Sequence, residues 1–205
     1  MSDAILPPLP PQAPRIDSRF WPWLMRGLLH LSGWRLLGEL PDVPKLIIIG
    51  APHSSYWDGV WGLMMKIALG ADIKVMIKRE VLDSPLGLIL RPLGMIGINR
   101  KAALNVVGQM VRRFADHPRM WLGITPEGTR KHVTHWKSGF LRIAHEAGVP
   151  ILPVFLDYPT KTFTLGTPQY ATDDPDADMA RIRALFRGYR GKHRNTEKAE
   201  ADPGV

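Results

Sequence analysis

The sequence predicts an α/β fold, a single domain with a mostly parallel mixed sheet flanked by helices. Short runs of apolar and β-branched residues, which are typical of buried strands, alternate along the chain with segments of helical period. The sharpest strand signal is residues 46–50, bounded by Pro44, and the clearest amphipathic helix runs from Lys101 to His117. Alternating strands and helices indicate parallel pairing with helices on the faces of the sheet. A chain of 205 residues is long enough for one such domain with a substantial core.

The first 40 residues divide into two parts of different composition. Residues 1–17 contain five prolines, and we expect them to form a disordered leader. Residues 18–40 contain three tryptophans and many leucines, while Arg19, Arg26 and His30 share one narrow stripe of a helical projection. An apolar helix with a thin basic stripe suits a membrane interface, so we predict a membrane-interface helix before the domain. The alternative is a helix packed on the core, and the two are compatible.

Residues 41–190 form the predicted domain. In chain order we expect strands at 46–50, 73–77, 96–100, 120–124 and 151–156, with an edge strand at 161–165. The expected helices are 58–69, 84–91, 101–117, 138–147 and 178–189. Ser84 and Pro85 match an N-cap followed by proline at the first helical position, and Gly70 and Gly148 match left-handed C-terminal caps. The charged segment 191–205 is predicted to be disordered.

Charge and composition narrow the classes of function. The net charge is +8 and the pI about 10.0, so attraction to nucleic acid, an anionic membrane or a phosphorylated substrate is expected. The chain has no cysteine, which excludes disulfides and thiolate chemistry. No uncharged run reaches the roughly 18 residues of a spanning helix, and the N-terminus lacks the pattern of a signal peptide. We therefore expect a peripheral, monotopic protein on the cytoplasmic face of the membrane.

A histidine and an aspartate follow the 46–50 strand at a spacing of five residues, as His53 and Asp58. On a regular helix that spacing puts two side chains about 140° apart. They can meet only if His53 lies in a turn and Asp58 in the first turn of the next helix, a break that Pro52 and the two serines after the histidine favour. The carboxylate would then hold one imidazole nitrogen while the other faces a substrate hydroxyl. The pair predicts general-base chemistry, and the alternative is a structural turn pair.

Two further strand ends carry polar groups, Arg100 on one and residues 127–130 on the other. Ligands of open α/β sheets gather at such ends. Arg100 and Arg130 would form a phosphate clamp, because guanidinium groups bind phosphate oxygens in bidentate fashion. Gly128 would let the backbone approach a ligand, and Glu127 would orient the arginines or accept a hydrogen bond from a substrate hydroxyl. His132 and His135 have a spacing that suits a metal, but no third ligand is evident, so no metal is predicted.

Four blocks in this order resemble the glycerophospholipid acyltransferase family, whose best-known members are the 1-acylglycerol-3-phosphate acyltransferases. They are His-x4-Asp at 53–58, glycine to arginine at 94–100, Pro-Glu-Gly-Thr-Arg at 126–130 and a proline-containing strand at 149–154. Departures from the family pattern are Pro52 in place of asparagine, Thr125 in place of an aromatic residue and Gly97 in place of a bulky one. They leave the blocks intact but leave the identity of the acceptor open. The short chain resembles a compact bacterial branch of this family more than its larger, membrane-spanning members.

The resemblance implies direct acyl transfer without a metal, cofactor or acyl-enzyme. His53 would deprotonate the acceptor hydroxyl and Asp58 would hold the imidazole, while the donor would be acyl-coenzyme A or acyl carrier protein. The acceptor would be a lyso-lipid, with 1-acylglycerol-3-phosphate giving phosphatidate as the first choice. Its phosphate and glycerol would be bound by Arg100, Glu127, Gly128, Thr129 and Arg130, with Lys78 as a weaker candidate.

The sequence leaves two alternatives open. The first is an acyltransferase for another lyso-lipid, such as a lyso-aminolipid without phosphate, for which the two arginines would matter less. The second is a non-catalytic basic peripheral protein that binds anionic lipid or nucleic acid. The family resemblance favours an anionic membrane surface and no nucleic acid as partner. Replacement of His53 separates the enzyme from the binding protein, since only the enzyme depends on it.

Overall fold

The structure, a computed structural model, describes residues 6–98, 103–131 and 133–193, without the side chains of 103–105. Its strands are β1 (Arg35–Leu37), β2 (Lys45–Ala51), β3 (Ile73–Lys78), β4 (Met95–Ile98), β5 (Met120–Ile124), β6 (Ile151–Asp157) and β7 (Thr162–Leu165). Its helices are α1 (Phe20–Ser32), α2 (Tyr56–Leu69), α3 (Arg79–Leu82), α4 (Gly87–Leu90), α5 (Ala103–Asp116), α6 (Gly139–Ala147) and α7 (Pro175–Ala184).

The seven strands form one sheet in the order β1-β7-β6-β2-β5-β3-β4. Every neighbouring pair is parallel except β6 and β7, which are antiparallel. The predicted α/β class, with a mostly parallel mixed sheet flanked by helices, is confirmed. β2 lies at the centre, where Ile49 is in register with Ile124 of β5 and Ala51 with Phe155 of β6. The carboxyl ends of β2, β5 and β6 therefore lie side by side.

The apolar run of β2 is continuous because both faces of the sheet are covered. Ile47 and Ile49 belong to the core under α5, α6 and α7, together with Phe114 and Phe140. Leu46 belongs to the core under α1 and α2 on the other face. A strand buried on both sides needs apolar side chains at successive positions, so the alternation of a half-exposed strand is missing.

The N-terminal segments differ from the expectation for 1–17 and 18–40. The described part of the leader, 6–17, is not disordered: Ala13 is fully buried and the Gln12 amide donates to Asp42. This part of the leader docks on the domain and turns at Ala13, whose amide donates to the Pro10 carbonyl at 3.2 Å. The helix of the 18–40 segment ends at Ser32, because Gly33 adopts a left-handed conformation with φ of 78°. The residues that follow form β1, which the sequence did not predict.

Three predictions within the domain need correction. The strand at 162–165 is not an edge strand, because β1 pairs with its outer side. Ser84 does not cap a helix at 84–91: its hydroxyl donates to the Val81 carbonyl, and α4 begins only at Gly87. The last helix begins at Pro175, behind an Asp174 cap, instead of at 178. Arg100, Lys101, His132 and the tail from residue 194 lie outside the described residues.

Candidate active site

The turn between β2 and α2 places His53 at the carboxyl edge of the sheet. The Ala51–Pro52 peptide bond is cis, and Ser55 caps α2 by accepting a hydrogen bond from the Trp57 amide at 3.2 Å. Asp58 is the third residue of the helix, and its side chain accepts the Ser55 amide in return, which completes a capping box. The predicted arrangement, a histidine in the turn and an aspartate in the first helical turn, is the one observed.

The Asp58 carboxylate is buried and saturated with hydrogen bonds. Its Oδ2 accepts bonds from the amides of Ser54 at 2.6 Å and Ser55 at 2.7 Å, and it lies 3.1 Å from Nδ1 of His53. Its Oδ1 accepts a bond from the Tyr158 hydroxyl at 2.5 Å. The Asp58 side chain is 2% exposed, so these four donors replace the water it would otherwise bind.

These contacts keep the aspartate ionised. Burial raises the pKa of Asp58, but the hydrogen bonds from His53, Tyr158 and the two serine amides lower it by more, so that the pKa lies below its ordinary value. A carboxylate can only accept, so Nδ1 of His53 carries the hydrogen of their shared bond. Nε2 is then the basic nitrogen of the ring. With 17% of its side chain exposed, the imidazole is partly open to solvent at the sheet edge, a geometry that suits a general base.

Glu127 lies next to this pair, in the turn that follows β5, and β5 is the neighbour of β2. It is 2% exposed, and its Oε1 accepts a hydrogen bond from the backbone amide of His53 at 2.9 Å. The carboxylate therefore supports the turn that carries the histidine. The contacts predicted for Glu127, with the arginines or with a substrate hydroxyl, did not include this bond to the backbone.

The remaining members of the 127–130 loop line the same edge. Gly128 has φ of +65°, and a Cβ at this residue would lie 2.8 Å from Cε of Lys137. Thr129 accepts a hydrogen bond from the Lys131 amide at 3.2 Å. The guanidinium of Arg130 lies 3.6 Å from the centre of the Tyr56 ring, a cation–π contact. Arg130 is thus held over the first turn of α2, close to the His53 turn.

The other candidate residues are less well connected to the pair. Lys78 ends β3 and is exposed, and β5 separates its strand from β2. Arg100 lies outside the described residues, so its part in a phosphate clamp stays a prediction. His135 bonds to Thr134 at 2.8 Å. Within the described ranges, no group of three or more histidine, aspartate or glutamate side chains is arranged to hold a metal ion.

The chain after β6 also contributes to the site, and this contribution was not predicted. Tyr158 follows that strand directly, and the rule that polar groups gather at carboxyl strand ends would have selected it. Further on, the His193 amide donates to the Ser54 hydroxyl at 3.2 Å and the Lys192 ammonium lies 5.1 Å from the Trp57 ring centre. These late contacts had no local signal, since only the folded sheet brings them to the turn.

Large apolar side chains of α1 and of the beginning of α2 are exposed, and we call them together the aromatic face. Its α2 members adjoin the His53 turn, whereas Arg26 of α1 donates to the Ala68 carbonyl near the other end of α2 at 2.8 Å. Trp23 is 69% exposed and Leu31 83% exposed, while Pro22 and Leu29 on the other side of α1 are buried. The remaining members are Phe20, Trp21, Leu28, Tyr56, Trp57 and Val60. Among the described helices, none combines the length and apolar character that crossing a membrane requires.

Comparison with known proteins assigns this arrangement to a family. The family model described as Acyltransferase matches residues 39–157, more than half of the chain and the whole stretch from β2 to the end of β6. The chain therefore belongs to the Acyltransferase family. Its structure is similar to that of the 1-acyl-sn-glycerophosphate (LPA) acyltransferase PlsC from Thermotoga maritima, with a TM-score of 0.57, 16% identity, and coverage of 81% of this chain and 75% of that one. No protein with a curated description matches the sequence.

Proposed function

We propose that this acyltransferase moves a fatty acyl group from a thioester donor to the hydroxyl of a lyso-lipid, with 1-acylglycerol-3-phosphate as acceptor and phosphatidate as product. The observation that carries the proposal is the ionised, buried Asp58 bonded to Nδ1 of a His53 imidazole at the sheet edge. Family membership supports acyl transfer. The solved relative named above is an acyltransferase for 1-acyl-sn-glycerophosphate, which supports this choice of acceptor.

In the proposed reaction Nε2 of His53 takes the proton of the acceptor hydroxyl as its oxygen attacks the thioester carbonyl. The C–S bond then breaks, and the proton passes from the imidazolium to the leaving thiolate, so the histidine ends as it began. Asp58 keeps the ring in the tautomer with hydrogen on Nδ1 and stabilises the imidazolium that forms. The donor is acyl-coenzyme A or acyl carrier protein, and the protein needs no metal for these steps.

We assign the acceptor phosphate to the part of the site around Arg130. Arg130 is held on the Tyr56 ring at 3.6 Å, which presents a planar set of donors near the histidine turn. A guanidinium binds two phosphate oxygens at once, and Thr129, the Gly128 backbone and Arg100 complete the proposed phosphate and glycerol site. Lys78 stays a weaker candidate, in keeping with its place two strands away from β2.

A membrane location follows from the same surface. The aromatic face contains three exposed tryptophans, and the chain as a whole is basic, with a net charge of +8. Helices with exposed aromatic side chains in a basic protein bind the interface of anionic membranes. We propose that the protein docks peripherally on the cytoplasmic face of a membrane. The lyso-lipid would then reach His53 without leaving the interface, since α2 carries part of the aromatic face and begins at the His53 turn.

The test is turnover of purified protein with acyl-coenzyme A and with acyl carrier protein as donors and a panel of lyso-lipids with and without phosphate. His53→Ala should reduce turnover by about 10²–10⁴, whereas His117→Ala, an exposed histidine at the opposite edge of the sheet, should keep it. Arg130→Ala should raise KM for lysophosphatidate more than for an acceptor without phosphate.

The outcomes separate the candidate functions. Strong turnover on lysophosphatidate that depends on both residues supports the function proposed here. Turnover on another lyso-lipid only, with little effect of Arg130→Ala, would replace the substrate and keep the mechanism. If no donor and acceptor pair gives turnover that depends on His53, acyl transfer by this pair is wrong and the lipid-binding alternative stands.

A further inference from the structure

We propose that Tyr158 is a positioning residue for the general base, and that its hydroxyl fixes the Asp58 carboxylate from the side opposite His53. The inference deepens the proposed function and rests on it for its kinetic tests. It concerns a residue that lies just beyond the 39–157 stretch matched by the family model and that is absent from the four blocks identified in the sequence.

The hydrogen bonds of Asp58 divide between two sources. Oδ2 is held by the amides of Ser54 and Ser55 and by the imidazole, which all belong to the turn that Asp58 itself caps. Oδ1 is held by Tyr158, 100 residues later in the chain. A carboxylate held on one oxygen can rotate about its Cβ–Cγ bond, whereas donors on both oxygens fix its plane. Tyr158 therefore anchors the pair to the sheet.

The ring of Tyr158 is itself held in place. Its centre lies 5.1 Å from the Trp34 ring, edge to face at 87°, and its backbone amide donates to the Arg190 carbonyl at 2.9 Å. The adjacent Asp157 accepts the Arg190 amide at 3.1 Å. The hydroxyl thus projects from a segment fixed on two sides, which is what positioning a catalytic group requires.

The hydroxyl stays protonated at any working pH. Burial, together with the hydrogen bond and charge of Asp58, raises the pKa of Tyr158 far above its usual range. Tyr158 therefore always donates a hydrogen bond to Oδ1 of Asp58, and this bond stabilises the negative charge of the carboxylate. The other ionisable groups around the pair are Glu127, which accepts the His53 amide, and Arg130 and Lys192, which lie over the Tyr56 and Trp57 rings. None of these three touches Asp58 through a hydrogen bond among those described.

The discriminating variant is Tyr158→Phe, which keeps the ring against Trp34 and removes one oxygen. We expect kcat to fall about tenfold or more, as for loss of a hydrogen bond to a charged group, with KM nearly unchanged. The acidic limb of the pH profile should move to higher pH, because a carboxylate that has lost a donor holds the proton on the imidazole more strongly. Tyr170→Phe, an exposed tyrosine elsewhere, is the matched control and should change neither quantity.

A double-variant comparison separates positioning from general damage to the fold. In an Asp58→Asn background the hydroxyl has lost the charge it acts on, so adding Tyr158→Phe should lower kcat much less than it does in the wild type. Equal fractional losses in both backgrounds would mean that Tyr158 acts independently of Asp58, and would overturn the proposal.

A measurement without turnover keeps this inference distinct from the proposed function. The Nδ1 proton of His53 should give a downfield NMR signal in the wild type that shifts or broadens in Tyr158→Phe and stays in place in Tyr170→Phe. If no acceptor is turned over, the proposed function fails, and this signal alone decides the case of Tyr158. A Tyr158→Phe protein with an unchanged signal, and with wild-type kcat and pH profile where turnover exists, would show that the inference is wrong.

Discussion

At the scale of single residues, Gly128 shows how a missing side chain shapes the site. It has φ of +65°, and a Cβ there would meet Cε and Cδ of Lys137 at 2.8 and 3.0 Å. The glycine therefore serves two purposes: it allows the left-handed turn after Glu127, and it leaves the space that the lysine stem occupies.

Gly128→Ala should lower the free energy of unfolding by roughly 1–2 kcal/mol from the left-handed backbone alone, with a further loss from crowding against Lys137. The lysine is flexible, so this second part should disappear in a Lys137→Ala background, which a double-variant cycle in urea would measure. Gly139→Ala is the control, because a Cβ at that helical glycine meets nothing within 4 Å. Equal costs of Gly128→Ala in both backgrounds would rule out the crowding.

The pairing of His53 with Asp58 could be predicted because its causes are local. A strand end, a proline and a serine cap dictate where the helix begins, and the spacing of five then brings the two side chains together. Tyr158 and the amide contact of Glu127 could not be predicted in the same way. Both depend on the register of β2 with its two neighbours, which a single sequence does not reveal.

At the scale of elements, Lys66 joins α2 to the sheet. It is 5% exposed, and its ammonium donates to the carbonyl of Leu93 at 2.7 Å and to that of Ile73. Leu93 lies just before β4, and Ile73 is the first residue of β3. Burial lowers the pKa of Lys66 to about 8, with the Asp72 charge opposing the shift and Lys74 adding to it.

This lowered pKa predicts a pH dependence of stability. Between about pH 8 and the ordinary value of 10.5 the unfolded chain keeps a proton that the folded protein has released, so stability from this group rises with pH. From pH 7.5 to 9.5 the unfolding free energy of the wild type should gain about 2 kcal/mol relative to Lys66→Met, since one pKa unit is worth about 1.4 kcal/mol. Denaturation of both proteins at the two pH values measures this, and a constant difference would contradict it. The neutral amine still carries two hydrogens for its two carbonyl acceptors.

Helices and strands with a clear apolar pattern of their own were predicted from the sequence. Those that form only by pairing with a strand far away in the chain were not. The β5 strand matches its predicted bounds because it is short, apolar and flanked by polar turns. β1 has three residues and only Leu36 buried, so it has no period to detect and exists through pairing with β7. Ser84 and Pro85 match the pattern of a helix N-terminus, but the Ser84 hydroxyl donates to the Val81 carbonyl instead of capping a helix.

At the scale of the whole molecule, the strand order brings the polar residues of the candidate site to one edge of the sheet. β2 lies between β5 and β6, so the turn with His53, the loop with Glu127 and the segment with Tyr158 meet at a single edge. Late in the chain, the His193 amide also contacts this turn by donating to the Ser54 hydroxyl. The aromatic face begins beside it, because Tyr56 and Trp57 are the first residues of α2. A membrane that covers the α2 part of this face would lie beside the His53 turn.

That orientation predicts where membrane binding can be broken without harm to the fold. Trp23→Glu and Leu31→Glu replace side chains that are 69% and 83% exposed, so each should change the unfolding free energy by no more than about 0.5 kcal/mol. Their binding to phosphatidylglycerol vesicles, measured by co-sedimentation, should fall at least tenfold. Each variant loses a buried apolar contact with the lipid of roughly 1.5–3 kcal/mol and adds a charge that the anionic surface repels.

Tyr170→Glu tests whether this loss is specific to α1. Tyr170 is also exposed, at 63%, but it lies beside Gln169, which bridges to the first residue of β6, at the edge of the sheet away from His53. It adds the same negative charge, so it should leave vesicle binding close to that of the wild type apart from the repulsion of that one charge, which all three variants share. Salt should weaken wild-type binding through the basic residues while the tryptophan contribution persists. Equal binding by all three variants would mean that charge alone holds the protein to the membrane, and that the aromatic face has another use.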